Sequence, residues 1–279
     1  MIKKIIPLVA LIFIFTSFSA LGADTFNGYN YPVDIDVNGS FIKCPQKPIL
    51  IDGTTYIPVR AFSDAIGGLV EWNSESKCAT MTKDGHTFVF NTQAGTTTAD
   101  GEVTPYKTVV HGGYTMVPVR AVSEVLGYTV EWDDAYLTVK ITAPEVVVPE
   151  LSKDTSYTYE DILYLSKITQ IESGYQHFDV RLGVAGTVMN RVRSTQFPNT
   201  VKDVIFDTRY STQFPPAHTE KFANLVASKE TTIAAKCVLH GVNVVGNSLY
   251  FVDTKYAPSS WVHNNRPHFV TLHDMSFYE

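Results

Sequence analysis

The sequence predicts two domains: an N-terminal α+β module built from a repeat, and a C-terminal domain dominated by helices. Residues 52–73 align without gaps to residues 112–133 at a constant offset of 60, and eleven of the twenty-two positions are identical. Chance does not give a match of that quality, so these are two copies of one supersecondary unit. Beyond a segment rich in proline and valine, Ala143 to Asp154, apolar residues recur at helical spacing from Asp161 to Arg193 and again from Ser228 to His240. A chain of 279 residues, 44% hydrophobic, has room for two cores.

Taken in order, residues 1–23 read as a secretory signal peptide. Lys3 and Lys4 give a positive start, Ile5 to Phe15 an apolar run too short for a membrane span, and Ser19, Ala20, Gly22 and Ala23 a small-residue end. Cleavage is expected near Gly22 or Ala23, an uncleaved anchor being the alternative. The net charge is −6, about −8 without the leader's lysines, and no basic tract follows. Nucleic acid is therefore not the expected partner. Export permits a disulfide, and Cys44 with Cys78 is the pair expected to share a domain. Cys237 falls in a helical pattern and reads as a small buried residue.

Each copy of the repeat runs turn, short strand ending in Pro-Val-Arg, helix, glycine, strand. The helices are expected at Ala61 to Ile66 and Ala121 to Leu126, stopped by Gly67 and Gly127. In the closing strands Val70 alternates with Trp72 and Val130 with Trp132, faces expected to form the core. Arg60 and Arg120 are expected to pair internally, with Glu71 or Glu131, although an arginine fork also suits carboxylate ligands. The pattern, met twice, resembles the copper amine oxidase N-terminal-like domain, over about residues 34–142. The resemblance implies adhesion, spacing or partner contact. With His86 and His111 the only histidines in this half, no metal centre is expected.

Residues 143–157 read as the linker and 158–279 as the second domain. Thr158 and Asp161 can form a capping box ahead of the helix that carries Ile162, Leu165 and Ile168 on one face. Glu172 stands on that face, where a core residue is expected. A carboxyl group there loses hydration, which favours its neutral form and raises its pKa toward the range of a general acid. The alternative is a solvated carboxylate near a helix end, with Gly174 terminating the helix. The next helix, Val180 to Val192, carries Gly183, Ala185 and Gly186, small residues that permit close helix approach.

The ordered blocks from Glu172 to Asn190-Arg191-Val192, Phe197 to Ile205, Gln213-Phe214 before two prolines, and Leu249-Tyr250-Phe251 resemble the SleB-type cell wall hydrolases, over about residues 160–275. The resemblance implies a mainly α, lysozyme-like domain. It also implies lytic transglycosylase activity on peptidoglycan glycan strands, with Glu172 as general acid/base and a 1,6-anhydro product. Such a reaction takes its nucleophile from the substrate, so one carboxylate serves both steps, where ordinary glycosidases need two. Gln213, Tyr250, Thr200 and Phe214 are carried over as substrate-binding positions. Thr200 reads equally as a helix cap and Asn190 as structural, bonding backbone within the helix pair. The corner departs from the family pattern, with Gly174, Tyr175 and Gln176 in place of Arg, Gly and Glu. Position 176 is either a hydrogen-bonding support or a charge that this chain lacks. His263, His268 and His273 lack the companions of a metal site, and no cofactor is expected. A degenerate, wall-binding domain and a hydrolytic muramidase or glucosaminidase are the competing readings. The expected location is outside the membrane, on the cell wall or spore envelope.

Overall fold

The computed structural model describes residues 22–253, 255–257 and 260–279. The expected leader, apart from its last two residues, lies outside them. Among the described residues no helix is long and apolar enough to cross a membrane.

The N-terminal region is β-rich. Strands Thr54–Pro58 and Tyr114–Pro118 lie side by side, antiparallel, with Ile57 opposite Val117, and Ile49–Ile51 and Val109–His111 flank them. Each central strand runs straight into a helix, α1 (Val59–Ile66) or α2 (Val119–Val125). Both helices start two residues earlier than expected, directly behind a proline that lacks an N–H the first turn would leave unmatched. Gly67, at φ 74°, closes α1 in the left-handed conformation that glycine adopts at no steric cost.

Between the two units a meander, 78–83, 86–91, 96–99 and 102–107, forms a separate five-stranded sheet with Leu69–Asn73. Asp84-Gly85 and Asp100-Gly101 turn two of its hairpins, each with both residues at positive φ. The core gathers Ile57, Phe62, Val117 and Val122 with Phe88 and Phe90 of the meander. It also takes in Ala143, Val146 and Val148, so the expected linker is a packed strap rather than a free tether.

One expectation fails here. Trp72 and Trp132 are 48% and 40% exposed, while Val70 and Val130 alone pack against the core. The reason is topological: Leu69–Asn73 and Thr129–Asp133 are edge strands, and the indoles lie where the sheet ends. Cys44 and Cys78 are free thiols; burial pushes that of Cys44 up to about 12. Cys237 is buried, as expected.

The C-terminal region packs α3 (Tyr159–Ser173), α4 (Phe178–Arg193), α5 (Val201–Ile205), α6 (Glu220–Ala223) and α7 (Lys229–Leu239) around Leu165, Ile168, Leu182, Val188 and Ile233. Thr158 and Asp161 form the capping box. The aromatic tail adds the short α8 (Trp261–Asn265) and a three-stranded antiparallel sheet, 250–253, 275–278 and 268–272, laid against α4. Gly183 admits the Phe277 ring, which would lie 2.4 Å from a Cβ at that position. The small residues of α4 thus receive the sheet as well as a neighbouring helix.

The two regions meet over a buried charge cluster. Lys236 of α7, fully buried, pairs with Asp34 at 2.7 Å and donates to the carbonyls of Tyr136 and Leu137 at 2.7 and 2.8 Å. His240 and the Tyr157 hydroxyl reach the other Asp34 oxygen at 2.9 and 2.7 Å. Burial would raise the Asp34 pKa, but Lys236 and His240 outweigh it and hold the carboxyl far below the usual range.

Candidate functional site

Glu172 lies on the last turn of α3, one turn beyond Ile168, so the helical period that buries Ile162, Leu165 and Ile168 turns it inward. It is half-buried. Among the described residues its carboxyl group has no hydrogen bond or ion pair. Burial raises its pKa, and the charge of Arg191 partly offsets the rise.

Arg191 is the residue around which the site is built, and the sequence reading passed over it in favour of its neighbour Asn190. It stands one turn beyond Thr187 and Val188 on the buried side of α4 and is 5% exposed. Its Nε donates to the Leu249 carbonyl at 2.7 Å. Its guanidinium lies 4.9 Å from the Phe197 ring centroid, 5.0 Å from Phe214 and 5.8 Å from Tyr250, within cation–π reach of all three. Burial lowers its pKa to about 10, against the opposing pull of Tyr250, Asp207 and Glu172, so it stays charged at neutral pH. The signal was available: an arginine at a core position of an otherwise apolar helix face is as anomalous as Glu172 itself.

The other expected positions divide. Tyr250 comes to the Arg191 guanidinium; its hydroxyl accepts from Arg266 Nη2 at 3.0 Å, and the Arg266 guanidinium lies 4.6 Å from its ring and 5.4 Å from Trp261. Phe214 is 2% exposed and stands behind Arg191, so it supports the site without reaching a ligand. Thr200 is held as the cap of α5, its hydroxyl bound to the Asp203 amide and carboxylate at 3.1 and 2.7 Å. Gln213 turns its amide onto Ser211. Asn190 is structural, but it binds the carbonyls of Gly246 and Ser248 at 2.9 and 3.0 Å rather than backbone of the helix pair.

The corner beside Glu172 is tied through main-chain groups. The Gln176 amide donates to the Ser173 carbonyl at 2.9 Å, and its own carbonyl accepts from Arg181 Nε at 3.2 Å while Arg181 Nη1 pairs with Glu230 at 2.9 Å. At Gly174 a Cβ would lie 2.0 Å from the Gln170 side-chain nitrogen, and that side chain accepts from the Ser228 amide at 2.9 Å. The tail histidines are separately engaged: His263 with Tyr278, His268 with Thr271, and His273 with Asp179 and stacked on His177.

The family model described as Copper amine oxidase N-terminal domain matches residues 36–141, and the one described as Cell Wall Hydrolase matches residues 176–278. Glu172 lies just ahead of the second match. Over 106 residues the chain is 31% identical to a spore cortex-lytic enzyme of Bacillus cereus, covering 38% of this chain and 39% of that protein. Over 122 residues it is 29% identical to a spore cortex-lytic enzyme of Oceanobacillus iheyensis, covering 43% and 40%. The chain thus spans about two fifths of the length of these relatives. A solved catalytic domain of the germination-specific lytic transglycosylase SleB from Bacillus anthracis is 27% identical, covering 45% of this chain and 99% of that one, with a TM-score of 0.40. With both matches in place, the chain carries a Cell Wall Hydrolase domain behind a copper amine oxidase N-terminal domain.

Proposed function

We propose that this protein cleaves peptidoglycan glycan strands as a lytic transglycosylase, with Glu172 as its single general acid/base. Protonated Glu172 gives its proton to the glycosidic oxygen between N-acetylmuramic acid and N-acetylglucosamine, and the C1–O bond breaks. The resulting carboxylate takes the proton of the muramyl 6-hydroxyl as that oxygen bonds to C1. The products are a 1,6-anhydro-muramyl end and a strand beginning at N-acetylglucosamine, and no water is consumed. Arg191 stabilises the carboxylate between the two transfers, which keeps the pKa of Glu172 within reach of both roles. Tyr250, with Arg266 and Trp261, forms the wall on which a sugar ring would rest.

The observation that carries this reading is the Glu172 carboxyl: desolvated, without a hydrogen bond among the described residues, and within the electrostatic influence of the buried Arg191. A second observation favours the anhydro route over hydrolysis. Asp207, the other carboxylate acting on Arg191, is gripped by Arg209 at 3.0 Å through each of its oxygens. That pair holds it ionised and occupied, poorly suited to activate a water. The likeness to spore cortex-lytic enzymes supports peptidoglycan as substrate and a site of action on the wall or spore envelope, outside the membrane. Ahead of this domain, we read residues 34–142 as two copies of one strand–helix–strand unit, with residues 143–157 as the strap to residues 158–279.

Digestion of purified peptidoglycan followed by mass spectrometry tests the proposal. Anhydro-muramyl ends are expected. Reducing muramic acid or glucosamine ends would replace it with a hydrolytic muramidase or glucosaminidase, and wall binding with no product at all would leave a glycan-binding protein.

A further inference from the structure

Each edge strand that exposes a tryptophan borders a cleft. One, about 460 Å3, is lined by Val59, Arg60, Val70, Trp72 and Ala79. The other, about 490 Å3, is lined by Val119, Arg120, Val130, Trp132 and Val139, the same five positions sixty residues on. Each is closed by the turn of the opposite unit: residues 113–115 close the first and residues 53–55 the second. The sheet register explains the exchange. Ile57 and Val117 face each other across the antiparallel pair and are themselves sixty apart, so a two-fold axis between them carries one cleft onto the other.

We propose that these clefts are two equivalent binding sites for sugar rings of a carboxylate-bearing amino-sugar strand, so that the chain grips bivalently the polymer it cuts. The inference rests on the glycan substrate proposed above. Both clefts have the size and mixed lining of a small-ligand site. In each, a half-exposed indole offers the flat, electron-rich face on which the C–H edge of a pyranose ring settles. Beside it an exposed arginine offers a fork that matches a carboxylate. A lysine adds a second cation, Lys43 in one cleft and Lys229 in the other. Each lining also holds one acid, Asp64 in the first cleft and Glu131 in the second, and in the second both cations are already paired, Arg120 with Glu124 and Lys229 with Asp134, so the attraction of an anionic strand is stronger at the first.

The furniture is partly fixed in advance. Asp134 accepts from the Trp132 indole N–H at 3.1 Å and pairs with Lys229 at 2.6 Å. A structural role does not account for the pattern, because Val70 and Val130 already anchor the edge strands while the indoles and guanidinium groups face outward. The arginines differ in one respect. Arg120 pairs with Glu124 at 3.1 Å, whereas the equivalent of Glu124 is Asp64, one methylene shorter, and Arg60 has no ion-pair partner among the described residues. The Arg60 cleft is therefore the tighter of the two for a carboxylate.

The test uses the full chain with Glu172→Gln, which leaves strands uncut. Binding to purified, uncross-linked glycan strands that retain their muramic carboxylates is measured for this parent and with Trp72→Ala, Trp132→Ala or both. Each single change is expected to weaken binding about tenfold, and the pair on the order of a hundredfold, as loss of two-point attachment requires. Arg60→Ala with Arg120→Ala should weaken these strands but leave binding of carboxylate-free chitin oligosaccharides unchanged. In the chain with native Glu172, the tryptophan changes should leave cleavage of short soluble fragments unaltered. Binding by the double tryptophan variant within twofold of the parent overturns the proposal, and an unchanged affinity in the arginine variant overturns its carboxylate part. If the native chain releases no product yet binding still depends on the tryptophans, the cleavage reading fails and this one stands.

Discussion

The molecule buries two charge clusters, and they are built in opposite ways. At the seam between the regions, Asp34 is met by Lys236, His240 and Tyr157, and Lys236 is met in turn by two carbonyls. In the candidate site, among the described residues, Glu172 has the charge of Arg191 acting on it and no hydrogen bond, and the buried Nη1 of Arg191 has no hydrogen-bond partner. Complete partnering fixes a charge and joins two elements; incomplete partnering leaves a proton free to move. Burial alone does not separate structure from chemistry, whereas the partners do.

Breaking the seam should have the largest effect. Lys236→Met leaves Asp34 Oδ2 and two carbonyls unmatched and should cost about 3–5 kcal/mol in denaturant unfolding. The seam should also weaken in acid. Asp34 and His240 both have folded pKa values below their unfolded ones, so their contribution is complete above the unfolded values. It declines as pH falls, starting below about 6.5 with His240.

In the site, Arg191→Met should lower kcat/KM on glycan strands by about 10–100-fold. It should also move the alkaline limb of the pH profile upward, because the cation that holds down the Glu172 pKa is gone. Arg191→Lys should restore much of that limb's position. A purely structural arginine would change the rate without moving the limb.

Glu172→Gln should act on stability in the opposite sense to Lys236→Met. The folded pKa of Glu172 is raised, so the native fold favours its protonated form, and that advantage is lost as pH rises through the folded value. Removing the charge should therefore raise Tm by about 2 °C at neutral pH and by nothing measurable at a pH below the unfolded value. The smallest effect belongs to the corner: Gln176→Glu should change the rate less than about threefold, since main-chain groups hold the bend.

Much of this was legible in the sequence. The sixty-residue offset locates α1 and α2, the Thr158–Asp161 box starts α3, and the apolar spacing turns Glu172 inward. Alternation also pairs each tryptophan with a valine, but it does not say whether a strand lies at the centre or the edge of its sheet, and edge position is what exposes Trp72 and Trp132. The meander between the units had a local signal in its two Asp-Gly turns. The seam had none, because Asp34 and Lys236 are about two hundred residues apart and only the packed fold brings them together. Phe214 and Thr200 show the limit of carrying roles by block: one is buried behind Arg191 and the other caps α5, and neither fact is visible in a motif.

The most direct test of the central claim compares native chain and Glu172→Gln on purified peptidoglycan, counting anhydro-muramyl ends by mass spectrometry on samples shown to be equally folded. A loss on the order of a thousandfold is expected from removing the one acid/base group. Anhydro ends released by the Gln variant at the native rate would contradict the account.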